Sequence, residues 1–312
     1  MTPPRIVDRH DLEGRSAEGG PPPSGPSAHR APADPPASLL PPVGTDAFRD
    51  ALEALVDRYE RPAFVADDPV SVPRAFDDPA DQEVAGLFAA LLAWGRRSVL
   101  LAKLADLLER MDHRPARFVH DFDAAGARAL AGFKHRTFGE YDAVATTLAV
   151  QAVRREHGSL GALFAAGARG APDIGPAIQR LSDGLLAAVP GTPPRAKHLA
   201  RPSTGSACKR LSMYARWMVR SGPVDLGLWR DVRPDQLVVP LDVHTGRQAR
   251  RLGMLARRYD DWRAVQELTD VCRALCPNDP ARYDYALFGL GAYGGDPIPA
   301  AGSRSAAPPT VR

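Results

Sequence analysis

The residues of this 312-residue chain that are best suited to catalytic chemistry are a lysine and an aspartate, Lys209 and Asp242. Only four of the 40 Lys and Arg residues are lysines, and the others are arginines. A lysine amine can lose its proton and become a nucleophile, whereas an arginine guanidinium stays protonated in proteins. A lysine kept in so arginine-rich a chain is therefore a candidate for amine chemistry.

The segment 201–206, shortly before that lysine, reads Arg-Pro-Ser-Thr-Gly-Ser and predicts a tight turn. Ser206 is the predicted N-cap of the helix that carries Lys209. Backbone N–H groups in such a turn, beside the positive end of a helix, can bind a phosphate. Ser203, Gly205 and Ser206 are therefore candidate nucleic-acid-binding residues. An ordinary capped helix with an incidental lysine is the alternative.

Asp242 follows the apolar residues 238–241 and is predicted to begin another helix, where the N-terminal dipole favours a carboxylate. An aspartate in that position is commonly only an N-cap. His244 and Arg247 lie in or near the first turn beyond it, and Arg210 directly follows the candidate lysine. These three side chains are predicted to contact nucleic acid. Because cations surround it, Asp242 is a candidate catalytic carboxylate.

Positive charge is concentrated in residues 195–258, which hold 14 Lys and Arg against 4 Asp and Glu, whereas the whole chain has a net charge of +3. Such a segment is typical of a surface for a polyanion, with nucleic acid as the usual partner. Arg96 and Arg97, after an apolar helix, are further candidates for DNA contact. Solvated arginines and helix-end cations are the alternatives. The basic and aromatic residues 133–136 could contact a nucleic-acid backbone or form an exposed loop.

Apolar residues recur at helical spacing through the middle of the chain, and strand-like alternation is rare, so the predicted fold class is all-α. Residues 1–44 and 296–312 are rich in Pro, Gly, Ser and Ala and are expected to be disordered, which leaves 45–295 as the folded domain. Asp284 lies in a predicted packing helix from which it could reach a site. The pattern predicts a helix capped by Thr45 and further helices at about 84–92, 100–108, 140–156, 160–166, 174–189, 207–219, 243–256, 261–275 and 283–289.

Composition excludes several classes of protein. The longest uncharged apolar run, 84–95, has 12 residues. That is well short of the roughly 20 that span a bilayer, and no secretory signal is visible. Three cysteines favour a reducing cytoplasm over a disulfide scaffold. The histidines lack metal-ligand spacing, three thiols cannot hold a four-cysteine iron–sulfur cluster, and no nucleotide-binding motif occurs. We therefore expect no metal, no cofactor, no membrane partner and a cytoplasmic location.

The turn with Lys209, the Asp-Val-His-Thr helix start at Asp242 and the Arg-Leu-Gly at 251–253 resemble the helix-hairpin-helix (HhH-GPD) DNA glycosylase superfamily. The run at 91–97 resembles its early helix and DNA-contacting loop. The usual Leu-Pro-Gly-Val-Gly hairpin is replaced here, and the lysine–aspartate spacing resembles that of archaeal 8-oxoguanine glycosylases. An uncharacterised bacterial family related to these enzymes is the closest resemblance, over most of residues 60–295. It rests on the stretches 209–220, 224–229, 240–253 and 283–291.

The resemblance implies a bilobal all-α DNA glycosylase, with or without an AP-lyase step, in which Lys209 is the nucleophile and Asp242 the essential aspartate. A damaged base must leave the helical stack before its glycosidic bond can be reached. The carboxylate would stabilise positive charge on the sugar, and the neutral amine would attack the anomeric carbon and form a Schiff base. The implied partner is duplex DNA with a damaged base, bound by a monomer at the nucleoid.

Two other functions fit the same residues. A non-catalytic nucleic-acid-binding helical module would keep the basic surface without turnover. An all-α hydrolase of a small phosphorylated metabolite would use the same anion site. The presence of both Lys209 and Asp242 favours an enzyme, since a binding module needs neither a lysine in place of arginine nor a carboxylate amid positive charge.

Overall fold

Helices form nearly all the regular structure in the computed structural model, which describes residues 40–65 and 68–292. Within these ranges the only strands are those of one two-stranded antiparallel hairpin, so the predicted all-α class is confirmed. The helices are α1 (Asp46–Tyr59), α2 (Ser71–Arg74), α3 (Pro79–Leu92), α4 (Arg97–Arg110), α5 (Pro115–His120), α6 (Ala124–Ala129), α7 (Glu140–His157), α8 (Leu160–Ala168), α9 (Gly175–Ala187), α10 (Lys209–Val219), α11 (Val243–Arg251), α12 (Trp262–Leu275) and α13 (Asp284–Ala292). The strands are β1 (Lys134–His135) and β2 (Phe138–Gly139).

The two tails predicted to be disordered, 1–44 and 296–312, lie outside the described residues except for 40–44. There the chain turns into α1, and Thr45 caps that helix as its side chain predicts. Its hydroxyl oxygen accepts a hydrogen bond from the N–H of Phe48 over 3.1 Å. The division of 45–295 into two lobes stays a prediction.

Four short elements are absent from the sequence-based expectation: α2, α5, α6 and the hairpin. None of the three helices exceeds six residues, which is too few to show an apolar period. The hairpin changes the interpretation of residues 133–136, because Phe133 and His135 are buried. Only Lys134 and Arg136 of that cluster remain exposed to a partner.

Helix α3 is buried on every side, because each of its residues from Glu83 to Leu92 is shielded from solvent. Asp78 caps it by accepting from the N–H of Ala80 over 2.7 Å, and Pro79 occupies its first position. A helix that is apolar all round needs partners all round. Helices α2, α4, α5 and α10 pack against it.

The buried carboxylate of Glu83 joins α3 to three other parts of the fold. It accepts hydrogen bonds from the N–H groups of Leu160 and Gly161 over 3.1 and 2.8 Å, which satisfies the start of α8. It also accepts from the indole N–H of Trp229 over 3.0 Å, and Arg154 lies 3.3 Å away. A buried carboxylate satisfied in this way is a structural anchor rather than a reactive group.

Helix α10 crosses α3 at Gly86, where an added Cβ would lie 2.4 Å from Cε of Met218. Tyr214 and Met218, on one side of α10, are fully buried. The opposite side is buried as well. Arg216 and Arg220 are each only 5% exposed because carboxylates from other elements cover them.

Helix α13 contacts three other helices. Helices α11 and α1 pack on it, and Arg216 of α10 forms an ion pair with its first residue, Asp284. This arrangement brings Lys209, Asp242 and Asp284 into one region. No helix in the described part of the chain is long and apolar enough to span a membrane.

The substitution Gly167→Ala tests the close approach of α8 and α9. A Cβ at Gly167 would lie 2.6 Å from Cα of Ala177 and 3.0 Å from the carbonyl oxygen of Pro176, and these backbone atoms cannot yield without moving α9. We expect the free energy of unfolding, measured by urea denaturation, to fall by about 1–3 kcal/mol, as overpacking causes.

Gly184→Ala in the same helix pair is the matched control. A Cβ there first meets Cδ2 of Leu163 at 2.9 Å, which is the end of a flexible side chain. Both substitutions gain about the same helix propensity, so Gly184→Ala should be the less destabilising of the two. Equal losses would contradict the packing argument.

Candidate functional site

A cavity of about 750 Å³ opens where the connection from α3 to α4 meets the N-terminal ends of α10, α11 and α13. Lys209, Asp242 and Asp284 line it with ionisable groups from three helices. Trp94 and Phe288 contribute aromatic surface. The volume lies within the range of roughly 300–1,000 Å³ that is usual for ligand sites in proteins.

The predicted catalytic pair comes together at this cavity. The amine nitrogen of Lys209 lies 3.7 Å from Oδ2 of Asp242, and about a quarter of each side chain is exposed (27% and 24%). The other carboxylate oxygen, Oδ1, accepts from the N–H groups of His244 and Thr245 over 2.9 Å each. Asp242 is thus an N-cap and a partner of the lysine at once, with one oxygen for each role.

The backbone immediately before Lys209 is unusual. Cys208 has a φ of +51°, a left-handed conformation that costs a non-glycine residue energy. Cys208 rather than Ser206 is the N-cap residue, so the predicted cap is wrong: the Ser206 oxygen accepts from the Cys208 N–H over 3.2 Å and closes a turn outside the helix. Burial raises the pKa of the Cys208 thiol to about 12, so this sulfur does not compete as a nucleophile.

The backbone N–H groups of the turn at 201–206 form hydrogen bonds within the protein. The N–H of Ser203 donates to the Gln179 side chain over 3.1 Å, and the N–H groups of Thr204 and Gly205 donate to carbonyl groups of the turn itself. The same turn pairs with the start of α12. Ser203, Gly205 and Ser206 do not line the cavity. Because these donors are already satisfied, the turn is a poor phosphate cradle.

Arg210 also differs from its predicted role as a phosphate contact. Its guanidinium donates to the carbonyl oxygens of Leu91 over 2.6 Å and of Lys197 over 3.0 Å, and it lies 5.7 Å from the ring centre of Trp94. Burial lowers the pKa of Arg210. The first of these bonds satisfies the end of α3, so Arg210 stabilises the fold beneath the cavity.

The remaining predicted binding residues divide into two groups. Arg97 and His244 line the cavity, and the Arg97 guanidinium lies 5.0 Å from the ring centre of Phe288. Arg96 and Arg247 are exposed but are not among the residues that form the wall. Five of the ten predicted site residues thus line the cavity: Lys209, Asp242, Arg97, His244 and Arg210.

Much of the charge of the basic segment 195–258 is neutralised within the fold. Most of the carboxylates that form ion pairs with its cations come from outside the segment. Lys197, Arg230, Arg247 and Arg258 are among its exposed cations. At least eight of the 14 cations form ion pairs: Arg195, Arg201, Lys209, Arg216, Arg220, Arg233, Arg250 and Arg257.

Behind the cavity lies a group of six charged side chains, here named the buried ion cluster: Glu60, Arg216, Arg220, Asp225, Asp279 and Asp284. Arg220 donates to Asp225 over 2.6 Å, to Glu60 over 2.9 Å and to Asp279 over 2.9 Å. Such partners are required because an unpaired buried guanidinium costs several kcal/mol, on the order of 3–5 kcal/mol when one partner is removed.

Arg216 connects this cluster to the cavity. One of its terminal nitrogens donates to Asp284, its Nε lies 3.5 Å from Asp225, and its guanidinium lies 4.3 Å from the ring centre of Tyr285. Burial, with a smaller contribution from nearby Asp242, raises the pKa of Asp284 to about 6 against the lowering effect of Arg216. The protonated form of Asp284 therefore persists into the weakly acidic range.

The sequence predicts Asp284 in a packing helix from which it could reach a site, and Asp284 does line the cavity. The sequence pattern does not identify Arg216 as part of the site. The available signal was the spacing of Lys209, Arg216 and Arg220 on one side of α10. Among the described residues, no three His, Cys, Asp or Glu side chains are arranged to hold a metal ion.

Residues 68–293 match the protein-family model described as "Protein of unknown function (DUF2400)". The chain belongs to this family. Lys209, Asp242 and Asp284 all lie within the region that the DUF2400 model covers. No curated protein and no solved structure matches the chain.

The raised pKa of Asp284 predicts a pH-dependent stability difference between the wild type and Asp284→Asn. Because the folded chain protonates this group more easily than the unfolded chain, its contribution to stability is complete below a pH of about 4 and is lost as the pH rises through about 6. The asparagine side chain of the variant cannot titrate. From pH 4 to pH 7.5 the variant should therefore gain stability relative to the wild type, by on the order of 2 kcal/mol in urea denaturation. A constant difference would contradict the prediction.

Proposed function

We propose that this DUF2400 protein is a DNA base-excision enzyme, a glycosylase that uses Lys209 as nucleophile and can carry out an AP-lyase step. The observation that carries the proposal is the 3.7 Å separation of the Lys209 amine and the Asp242 carboxylate at the wall of a large cavity. The resemblance of the same two residues to the catalytic pair of helix-hairpin-helix DNA glycosylases supports it.

The geometry of the pair suits the chemistry of glycosidic bond cleavage. Oδ1 of Asp242 is held by two backbone N–H groups, so the carboxylate is fixed in direction. Oδ2 faces the amine and can accept the proton that Lys209 must lose before it attacks. A fixed carboxylate also stabilises the positive charge that develops on the sugar as the base departs.

The cavity has room for a nucleotide that has left the helical stack. Its volume of about 750 Å³ holds a base with its sugar, and Trp94 and Phe288 offer aromatic surface. Arg97 and His244 add polar groups to the same wall. The exposed Arg96 and Arg247 are available to DNA phosphates, which position the duplex without reading its sequence.

A non-catalytic nucleic-acid-binding module remains the second candidate, and one observation favours it. The Lys209 amine forms an ion pair with Asp242, and a lysine held as a cation binds phosphate without attacking carbon. The two candidates differ in a covalent step, so they can be separated directly.

Borohydride trapping tests the covalent step. On duplexes that carry 8-oxoguanine opposite cytosine, or an abasic site, the wild type should form a protein–DNA adduct because reduction fixes a Schiff base. Lys209→Arg keeps the charge but has no amine that can be deprotonated, so the adduct should be lost. Asp242→Asn retains much of the capping and should slow base release by about 10²–10³-fold.

Lys197→Arg is the matched control, because Lys197 is an exposed lysine of the same basic segment and does not line the cavity. Its trapping should equal that of the wild type. Trapping by Lys209→Arg equal to that of the wild type would contradict the assignment of Lys209 as the nucleophile and would favour the binding module.

Binding to duplex DNA tests the electrostatic part of the proposal. Affinity should fall steeply as salt is raised, because phosphate contacts release counterions. Arg247→Ala should weaken binding about equally for all sequences and reduce the slope of log K against log salt by about 1. Arg180→Ala is the control, since Arg180 is exposed at a groove that shares no residue with the cavity. An affinity that does not change with salt would leave the exposed arginines without this role.

A further inference from the structure

Asp284 is the one carboxylate of the buried ion cluster that lines the cavity. Its side chain is 9% exposed and shares Arg216 with Asp225. It lies at the first position of α13, on the same cavity wall as Lys209 and Asp242. The reaction proposed above gives this second carboxylate no role.

The charge count of the cluster indicates where a proton is held. Four carboxylates face two guanidinium groups, which leaves two negative charges in a buried place. Asp225 contacts both arginines. Glu60 and Asp279 bond Arg220, and their side chains retain 11% and 25% exposure to water. Asp284 is left as the carboxyl group that most favours a proton.

Two carboxyl groups with opposite protonation states are what cleavage of a glycosidic bond requires. One must stay ionised to stabilise the sugar cation, and the other must be protonated to neutralise the leaving group. Asp242 is placed for the first role, because two N–H groups and a lysine lie against its oxygens. Asp284 is placed for the second, because it is buried and lines the cavity that would hold the base.

We propose that Asp284 is the general acid of the base-excision reaction, donating its proton to the departing base; this inference rests on the proposed function. Before attack, Lys209 passes a proton through Asp242 to solvent, so Asp242 is ionised again when positive charge develops on the sugar. The bond between C1′ and the base nitrogen breaks, its electron pair leaves on the base, and the Asp284 proton neutralises that base. The Lys209 nitrogen forms the new bond to C1′ and then loses a second proton to the Asp284 carboxylate. Asp284 is thereby protonated again for the next turnover. The ring then opens at the C1′–O4′ bond to give the Schiff base, and O4′ takes a proton from solvent.

Binding of DNA strengthens the assignment of the proton. A bound duplex adds phosphate charge near the cavity mouth and excludes water from its wall, and both effects favour the neutral form of a buried carboxyl group. Arg216 then receives the ionised product of the transfer, because it already bonds the Asp284 carboxylate.

The test compares two substrates of the same sequence, one with a base to release and one without. Duplexes carry 8-oxoguanine, hypoxanthine or uracil, and a matching duplex carries an abasic site. Asp284→Asn should slow release of the base that the wild type releases fastest by about a hundredfold or more. Schiff-base trapping on the abasic duplex has no base to protonate and should change far less. Asp284→Glu should recover part of the lost rate.

The pH profile supplies a readout that a structural role would not change. In the wild type, base release should fall as the pH rises through about 6, whereas in Asp284→Asn this fall should be absent. Asp279→Asn is the matched control, because Asp279 belongs to the buried ion cluster but does not line the cavity. At low pH it should retain the release rate of the wild type, and its release should still fall as the pH rises, at a somewhat lower pH because the cluster has lost one negative charge.

Each other outcome has a definite meaning. If Asp284→Asn slows base release and abasic trapping equally, or if Asp279→Asn slows release as much, Asp284 is only structural and the proposal is overturned. If the wild type traps abasic DNA but releases no base, the proposal is overturned while the lysine chemistry stands. If the wild type neither traps nor releases, the proposed function itself fails, and the proposal fails with it.

Discussion

The arrangement of this fold depends on a buried helix that carries cations. Helix α10 is covered along its length, yet Lys209, Arg216 and Arg220 project from one side of it. The free energy needed to bury an unpaired charge exceeds the stabilisation that helix packing supplies. Each cation therefore needs a carboxylate partner from another part of the chain. Asp242 and Asp284, at the starts of α11 and α13, supply two of these partners. The positions of those helices follow from this requirement.

Burial changes along the same side of α10, and the chemistry changes with it. The side chains of Arg216 and Arg220 are only 7% and 6% exposed and are held by several carboxylates, whereas Lys209 is 27% exposed and faces a single one. The arginines are therefore fixed parts of the scaffold. The lysine lies on the first turn and is the cation of the three that is open to the cavity.

The sequence predicted what local rules control. Helical spacing located the long helices, and the types of Lys209 and Asp242 identified a pair that the fold does bring together. It misjudged Ser206, because the left-handed Cys208 ends the turn before the helix begins. It did not identify Arg216 as part of the site, since spacing shows which side of a helix a residue occupies but not what packs there. The covering carboxylates are distant in the sequence, so no local pattern could reveal them.

The same pairing limits what charge counts can say about nucleic-acid binding. An excess of positive charge over 195–258 predicts a strong field, but paired cations such as Arg250 and Arg257 project little of it into solvent. Removing Arg216 would leave buried carboxylates unpaired and damage the fold, so a loss of binding in that variant would carry no information about DNA. Exposed residues such as Arg96 and Arg247 are different, because their charge is available without being structural. Exposed positive charge and support of the fold are thus carried by different arginines, and this separation allows binding, chemistry and stability to be tested independently.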